Sequence, residues 1–513
     1  MSERQLFKGR SSFIFAAMGS AIGLGNIWRF PYVAYEGGGG AFIVPYLVAL
    51  LTAGIPLLFL LYAIGHKYRG SAPLSFRRLH PGTEVIGWWQ VGICFVIAVY
   101  YAVVIAWAVR YVGFSVTQAW GEDPDGFFGG EFLNQSGEFT IGVTLVPAVF
   151  VPLLVVWLFT LVVLRAGMQK GIARLSQVFI PVLVVLFVIL VIQALRQPGA
   201  MEGLNALFTP NWEALRSPDV WVLAYGQIFF SLSIGFGIMI TYAAHLKRKT
   251  NLTGPGLVVA FANSGFEMLA GIGVFATLGF MAQASGVPIA EVVAEGVGLA
   301  FVAFPAIIST MPGGALVGVL FFTSIVLAGI TSMVSIVEVV LDAFEDKFGL
   351  SRTASVLGVG GLMAVVSLLL FPTTTGLNLL DVVDNFANQF GIVGAGLTIT
   401  ITLGWGLRHL RVMRDHLNAV SSFKVGWIWT ILLTFVTPVV LGFMFISKLI
   451  ETVQEGYGEV PRWYVEMFGW GMSVAIFVIA VVLSNVKWKP GVVESLGLED
   501  TESPRLEKKG ARR

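Results

Sequence analysis

Apolar runs long enough to cross a bilayer recur along the whole chain, and no other feature constrains the fold as strongly. The hydrocarbon core of a bilayer is about 30 Å thick and needs about 20 apolar residues in helical form. Because backbone groups in lipid must hydrogen-bond within the protein, and these runs are too long for barrel strands, each is predicted to be a membrane-spanning helix. The twelve predicted spans, numbered 1–12 in chain order, are 13–35, 41–66, 86–119, 143–164, 173–195, 219–245, 255–284, 315–344, 353–371, 377–407, 425–450 and 465–486.

The composition indicates that these helices lie in a membrane, and the placement of charge predicts their orientation. Of the 513 residues, 56% are hydrophobic and 12% are charged, whereas soluble proteins carry about 25% charged residues. Lipid must therefore form part of the protein's surroundings. Most of the 32 Lys and Arg residues fall on one side when the N-terminus is cytoplasmic. The positive-inside rule predicts a multi-pass protein of the plasma (cytoplasmic) membrane with both termini in the cytoplasm.

Two matching glycine pairs indicate an internal repeat. Span 1 contains Ile-Gly-Leu-Gly at 22–25, and span 6 contains Ile-Gly-Phe-Gly at 234–237. Each pair lies mid-membrane in the first of five consecutive spans, and an odd number of spans gives the two blocks opposite orientations. Paired interruptions of this kind indicate a transporter binding site. The predicted domains are a cytoplasmic segment 1–12, a first repeat 13–195, a second, inverted repeat 219–407, spans 11 and 12 at 425–486, and a cytoplasmic tail 487–513.

A helix broken at such glycines has unpaired N–H groups at the start of its outer half and unpaired C=O groups at the end of its inner half. The N–H groups attract an anion and the C=O groups attract cations, so a zwitterionic amino acid with a sodium ion would satisfy both. Neutral oxygen donors near the glycine pairs suit Na⁺, although such side chains also bond between membrane helices. They include Ser20, Asn26, Ser231, Ser233, Asn263, Thr331 and Ser332.

Several stretches of the chain resemble signature motifs of the neurotransmitter:sodium symporter family. They are AIGLGNIWRFP at 21–31 with GGGGAF at 37–42 and PY at 45–46, GQIFFSLS at 226–233, and AGITS at 328–332. The resemblance covers essentially all twelve spans and implies an all-α membrane fold of LeuT-like type. That fold has a 5+5 inverted repeat, broken helices in spans 1 and 6, and two extra C-terminal helices. The resemblance also implies Na⁺-coupled uptake of a neutral, hydrophobic L-amino acid by alternating access, and no enzymatic activity.

The same resemblance implies a substrate pocket and two sodium sites. One sodium site would use Ala21, Asn26, Ser231 and Asn263, and the substrate carboxylate would complete it. The second would use Gly19, Ile22, Ala328, Thr331 and Ser332. Tyr101 would bind the substrate carboxylate, and the apolar lining favours an uncharged side chain, because a charged one would be buried without a partner. The implied pocket residues are Ser20, Ala21, Gly23, Leu24, Gly25, Ile97, Tyr101, Phe230, Ser231, Ser233, Phe236, Ser332, Met333 and Ile336.

Gates on both sides of this pocket are implied as well. Arg29 is costly within an apolar span unless it is paired, and Asp384 is its implied partner. The outer-gate residues are Arg29, Asp384, Tyr101 and Phe236, and the inner-gate residues are Arg4, Asp346 and Phe7. His245 stands where relatives commonly carry a tyrosine that supports the inner gate, and a solvated loop histidine is its simplest interpretation. In span 5, Gly171 and Pro181 form a Gly-x9-Pro pattern that permits local unwinding in similar transporters.

Glu267 in span 7 lies one turn beyond Asn263, and a carboxylate within a membrane is a candidate functional residue. In chloride-dependent relatives a serine at this place helps to bind Cl⁻ with the equivalents of Tyr46, Gln227, Ser231 and Asn263. A carboxylate would supply that negative charge covalently. We therefore expect chloride-independent transport, with proton antiport through Glu267 on the return step as an open extension.

The sequence lacks the motifs that several other classes of membrane protein require. A nucleotide-driven pump needs a Walker A loop, and the chain contains no Gly-Lys dipeptide. Haem or zinc chemistry needs buried histidines or thiols, whereas the histidines fall at or in cytoplasmic segments and Cys94 is the single cysteine. A proton-coupled amino-acid transporter or an amine or osmolyte symporter of the same fold stays open, and a channel or receptor is less favoured. The expected partners are the amino acid, Na⁺ and the bilayer, without nucleic acid, and a monomer suffices for transport.

Overall fold

The computed structural model describes residues 5–293 and 296–494 of the chain. Ten helices in this part are long and apolar enough to cross a membrane, and they coincide with predicted spans 2–5 and 7–12. Their bounds are Gly40–Tyr68, Pro81–Thr117, Pro147–Arg165, Met168–Leu195, Thr253–Ser285, Gly314–Phe348, Arg352–Leu370, Gly376–Gly406, Trp427–Glu455 and Arg462–Asn485. The observed ends lie within two helical turns of the predicted ones, because apolar length can be read directly from the sequence.

Spans 1 and 6 are each divided into two helices. The pairs are Arg10–Ala21 with Leu24–Glu36, and Pro218–Ser231 with Ile238–Ala244. The two halves of span 1 are bent by 55°. The predicted breaks are therefore present, and the predicted all-α membrane fold is confirmed. Neither half of span 6 is long enough to cross a membrane alone, so the count of twelve spans and the domain bounds stay predictions.

Shorter helices in the connections complete the described fold. They include Ala72–Leu79 between spans 2 and 3, Ala200–Phe208 between spans 5 and 6, Gly296–Thr310 between spans 7 and 8, and Leu410–Val420 between spans 10 and 11. The apolar helix Gly296–Thr310 packs through Phe301, whose ring stacks on Phe128 with centroids 5.4 Å apart and lies 5.9 Å from Phe322 of span 8. This connection therefore covers the ends of spans 3 and 8.

Burial separates the central spans from the peripheral ones. In the most apolar stretch of each helix, 78% of span 2 and 78% of span 3 is buried, against 28% of span 11 and 17% of span 12. Span 8 runs along span 3 in the centre of the molecule. The outer spans expose large apolar side chains such as Val155 and Ile479, as expected for helices that face lipid. The two broken spans lie against this central pair, where their breaks are shielded from lipid.

Candidate functional site

A cavity of about 830 Å³ lies beside the two helix breaks. It extends to the connections between spans 3 and 4 and between spans 11 and 12, where Asp125, Gln135 and Tyr457 line it. Met333 is fully buried and lies outside this lining. The other predicted pocket residues all line the cavity: Ser20, Ala21, Gly23, Leu24, Gly25, Ile97, Tyr101, Phe230, Ser231, Ser233, Phe236, Ser332 and Ile336.

The break in span 6 is caused by a run of left-handed backbone conformations. Ser233, Gly235 and Gly237 have φ angles of 53°, 90° and 81°, and a left-handed residue cannot continue a right-handed helix. This region costs a residue with a side chain about 1–2 kcal/mol, which explains why glycine occupies two of the three positions. A Cβ added to Gly235 would also lie 2.7 Å from the carbonyl oxygen of Ile392. Close backbone approach and conformation therefore both require glycine at 235.

Three of the four residues predicted for the first sodium site form one chain of hydrogen bonds. Asn26 Nδ2 donates to Asn263 Oδ1 at 2.8 Å, and Asn263 Nδ2 donates to Ser231 Oγ at 3.1 Å. Asn26 Oδ1 accepts from the backbone N–H of Gly23 at 2.9 Å, which caps the outer half of span 1. The fourth residue, Ala21, is the last residue of the inner half, so its carbonyl lies at the break.

The residues predicted for the second sodium site meet where spans 1, 5 and 8 touch. Ser332 Oγ donates to the carbonyl of Gly19 at 3.3 Å, and Thr331 Oγ1 donates to the carbonyl of Ala328 at 2.9 Å. A Cβ added to Gly19 would lie 2.8 Å from Ser176 Oγ of span 5 and 3.2 Å from Thr331 Cβ. Ile22, the remaining member, is fully buried at the break. Hydroxyls and main-chain carbonyls are the oxygen donors that Na⁺ prefers.

Hydrogen bonds also join the two broken spans to each other inside the pocket. Ser20 Oγ donates to Ser233 Oγ at 3.2 Å, and Ser233 Oγ donates to the carbonyl of Ser20 at 3.0 Å. The ring of Phe230 lies so close to Gly25 that a Cβ there would clash with it. The Tyr101 hydroxyl would lie 3.5 Å from a Cβ added to Gly23. Main-chain polar groups of span 1 are therefore left accessible beside an aromatic wall.

All four predicted outer-gate residues line the cavity. The guanidinium of Arg29 lies 5.1 Å from the centroid of the Phe230 ring, a cation–π distance. Asp384 accepts from Asn388 Nδ2 at 2.9 Å. A positive side chain thus lies over the Phe230 ring at the wall of the pocket.

Phe7, a predicted inner-gate residue, lies in a cluster of packed aromatic rings. Phe7 is 2% exposed, and its ring centroid lies 5.7 Å from that of Phe13 and 5.9 Å from that of Tyr242. Asp346 accepts from the backbone N–H of Ser71 at 2.8 Å, and Arg4 lies outside the described residues. The prediction that His245 is a solvated loop residue is wrong. It is 5% exposed, its Nδ1 lies 2.8 Å from the carbonyl of Thr241, and its own carbonyl accepts from Phe7 N at 3.0 Å.

Glu267 is fully buried and surrounded by hydrogen-bond donors. Gln227 Nε2 donates to its Oε1 at 2.6 Å, and the Tyr46 hydroxyl donates to its Oε2. The same hydroxyl lies 2.8 Å from Ser264 Oγ. Donors to both oxygens stabilise a buried carboxylate that would otherwise be costly in this environment.

Span 5 begins in an irregular turn. Residues Met168–Ala173 form a π-helical turn, and the regular helix runs from Arg174 to Leu195 with Pro181 inside it. Gly171 packs against the carbonyl of Val163 so closely that a Cβ would clash. A π turn and an internal proline both weaken the hydrogen-bond ladder of a helix.

Two polar residues of span 3 that sequence analysis assigned to no site contact the break in span 6. Gln90 Nε2 donates to the carbonyl of Gly235 at 3.0 Å, and Cys94 Sγ lies 3.0 Å from the carbonyl of Phe236. Their spacing in the sequence could have identified these two residues. Residues 90 and 94 precede pocket residues Ile97 and Tyr101 at intervals that place all four on one helix face.

Comparisons with known proteins agree over nearly the whole chain. The model of the family described as "Sodium:neurotransmitter symporter family" matches residues 4–125 and 121–490. An uncharacterized sodium-dependent transporter of Methanocaldococcus jannaschii is 42% identical over 487 residues, 94% of this chain and 98% of that protein. The sodium- and chloride-dependent GABA transporter 2 of Homo sapiens is 28% identical, over 93% of this chain and 85% of that protein. The crystal structure of MhsT in complex with L-phenylalanine is similar with a TM-score of 0.72 and 32% identity, over 86% of this chain and 99% of that chain.

Proposed function

The chain belongs to the sodium:neurotransmitter symporter family, and on that premise we propose that it imports a neutral, hydrophobic L-amino acid together with Na⁺ by alternating access. Family membership makes it a sodium-dependent, multi-pass membrane transporter rather than an enzyme, and its fold is LeuT-like. The substrate class, the number of sodium sites, the gates and the chloride independence belong to the proposal.

The cavity beside the paired helix breaks carries this proposal. Its polar side consists of the break in span 1 with Ser20, Gly23 and Gly25, and its apolar side includes Ile97, Phe236 and Ile336. The N–H groups that begin the outer half of span 1 favour a carboxylate, and the apolar side favours an uncharged side chain. The similar MhsT structure contains L-phenylalanine, which supports an amino acid of this class.

Two sodium sites complete the proposed substrate complex. The first is the Asn26–Asn263–Ser231 chain with the carbonyl of Ala21 and the substrate carboxylate. The second is the meeting point of Gly19, Ile22, Ala328, Thr331 and Ser332. Because the first site would share the substrate carboxylate, binding of the ion and of the amino acid would each raise the affinity for the other.

Alternating access would use the two gates in turn. A cavity that reaches the outer connections, above packing around Phe7, supports an outward-facing state with a closed inner path. Closure of Arg29 and Asp384 over the pocket would precede opening at Asp346 and Arg4. In this scheme both termini are cytoplasmic, the protein lies in the plasma membrane, and one monomer suffices.

Uptake by proteoliposomes tests the proposal. Labelled L-phenylalanine or L-leucine should accumulate above the external concentration only with an inward Na⁺ gradient. Accumulation driven by a proton gradient alone would instead identify a proton-coupled transporter, and accumulation of GABA or creatine alone an amine or osmolyte symporter. Equilibration without accumulation would identify a channel, and binding without flux a receptor.

A pair of asparagine variants tests the first sodium site. Asn263→Ala should lower sodium-driven uptake about tenfold or more, because it removes a ligand and leaves Asn26 and Ser231 with unsatisfied buried groups. The exposed Asn485→Ala is the matched control and should transport normally. Equal uptake by the two variants at limiting Na⁺ would contradict the site.

A further inference from the structure

Gln90 and Cys94 continue the pocket-facing side of span 3 toward the cytoplasm. Residues 90, 94, 97 and 101 follow the spacing of one helix face. Ile97 and Tyr101 line the cavity, whereas Cys94, about one turn below Ile97, and Gln90, about two turns below it, are fully buried. The two side chains therefore occupy the closed half of the path that begins at the pocket floor.

Both side chains bond to backbone that the helix break leaves without its usual partners. Carbonyls of an unwound stretch lack the N–H groups of the following turn, and buried carbonyls need a partner. Gln90 Nε2 supplies one to Gly235 at 3.0 Å, and the Cys94 thiol supplies a weaker one to Phe236 at 3.0 Å. Span 3 thus supplies the hydrogen-bond donors that the interrupted helix cannot supply to these two carbonyls.

The inner half of span 6 begins directly against the same side chain. A Cβ added to Gly237 would lie 3.4 Å from Gln90 Oε1 and 3.4 Å from Val339 Cγ1 of span 8. Gly237 precedes the inner helix Ile238–Ala244. Movement of that inner helix away from spans 3 and 8 would therefore separate Gln90 and Cys94 from their acceptors.

We propose that Gln90 and Cys94 are positioning residues that hold the break of span 6 against span 3 while the inner path is closed. The role rests on the proposed alternating access, in which the inner half of span 6 must move relative to span 3 for substrate to leave. Two single hydrogen bonds, one from a weak thiol donor, stabilise the closed state without locking it. Loss of either one shifts the population toward the inward-facing state.

The rate at which Cys94 is alkylated tests this proposal without any transport measurement. Cys94 is the only cysteine, so N-ethylmaleimide reports on one buried thiol of the full-length protein in proteoliposomes. Gln90→Met keeps the length of the side chain and removes the donor. We expect alkylation about threefold to tenfold faster than in the wild type, the ratio that corresponds to losing one hydrogen bond.

A packing control separates positioning from general loosening of span 3. Val103→Ala creates a cavity at a fully buried position in the outer half of the same helix and leaves both hydrogen bonds intact. It should lower the unfolding temperature and leave the alkylation rate within about twofold of the wild type. Equal rates in the wild type and Gln90→Met, or equal acceleration in Val103→Ala, would overturn the role of Gln90.

The thiol itself is tested by its hydroxyl counterpart. Cys94→Ser keeps a donor and should show the wild-type KM for external substrate, whereas Cys94→Ala should raise KM about threefold with kcat retained, because less protein faces outward. Equal KM values in these two variants would overturn the role of Cys94. If the protein transports none of the tested amino acids, the proposed function fails. The alkylation experiment still shows whether Gln90 holds the break of span 6 against span 3.

Discussion

At the scale of residues, the proposed chloride independence rests on Glu267. Its two oxygens accept from Gln227 and Tyr46 in a fully buried position, and donors of this kind favour the ionised carboxylate. An anion from solution would meet this charge at close range and be repelled. We therefore propose that Glu267 takes the place of a bound chloride in this protein.

Replacing chloride tests this role. Uptake by the wild type should not change when gluconate replaces Cl⁻. Glu267→Ser should lower uptake in gluconate about tenfold or more, because the donors around it lose their acceptor, and chloride should restore part of it. The exposed Glu213→Ser serves as control. Strict chloride dependence of the wild type would refute the assignment.

His416 lies outside the spans, on the helix Leu410–Val420, with its Nε2 3.0 Å from His66 Nδ1. Burial, and then the neighbouring His66, Lys67 and Arg69, lower the pKa of His416 to about 3. An unfolded histidine titrates near 6.5. As the pH falls below about 6.5 the unfolded form takes up the proton first, so this contribution to stability is complete above pH 6.5 and is lost toward pH 3.

A pH series of thermal unfolding measures this contribution. The unfolding temperature of the wild type should fall between pH 7 and pH 5, and His416→Gln should show a shallower fall. His80→Gln, at an exposed loop position, should follow the wild-type curve. If the unfolding temperature falls equally with pH in the wild type and in His416→Gln, the buried His416 does not cause the pH dependence.

At the scale of elements, span 5 is the helix that adjoins the second proposed sodium site. Ser176, between the π turn around Gly171 and Pro181, lies against Gly19, which also lies against Thr331. Proline has no N–H for the helix ladder, so the turn before it is already one hydrogen bond short. Opening of this turn would give cytoplasmic water access to the ion.

Pro181→Ala restores that hydrogen bond and should slow inward release of Na⁺ severalfold, with little change in Na⁺ affinity from outside. Release can be followed by rapid mixing of preloaded protein with sodium-free buffer. Pro152→Ala removes a comparable internal proline from span 4 and should not alter release. Unchanged release in Pro181→Ala would count against unwinding at this place.

At the scale of the whole molecule, a buried ion pair joins the start of span 3 to the end of span 8. Lys347 Nζ lies 2.6 Å from Glu84 Oε1, and both side chains are almost completely buried. Trp88 Nε1 and Trp488 Nε1 donate to the same carboxylate at 3.0 Å and 2.9 Å. Because Trp488 follows span 12, this cluster connects the segment after the last span to the central pair of helices.

Removing one partner should have a large effect on stability. Lys347→Met removes the buried cation and leaves the Glu84 carboxylate with the partly exposed Arg77, 3.7 Å away. It should therefore cost about 3 kcal/mol of unfolding free energy, the lower end of the range for a broken buried pair. Adding Glu84→Gln should recover most of this loss. Arg462→Met breaks a pair whose arginine is 92% exposed and should change stability by less than about 1 kcal/mol. A loss in Lys347→Met no larger than in this control would contradict the argument.

Much of the architecture could be predicted because its causes are local. Apolar length identified the long helices, and glycine pairs identified both broken spans. The break in span 1 falls at Ile22 and Gly23, at the start of the predicted Gly-Leu-Gly stretch, because the Asn26 side chain caps the outer half at Gly23. The motif residues around these breaks could be predicted because they lie within a few positions of one another in each span.

The sequence by itself determined which segments are helices in a membrane, where two of them break and which way the chain is expected to face, since hydropathy, glycine conformation and charge act over a few residues. Only the tertiary structure decided which side chains meet. Asn26 and Asn263 are 237 positions apart and Gln90 and Gly235 are 145 apart. His245 is buried where the N-terminal segment meets the end of span 6, with its carbonyl accepting from Phe7 N. Such contacts depend on how separate helices pack, and a local sequence pattern does not show which distant residues meet.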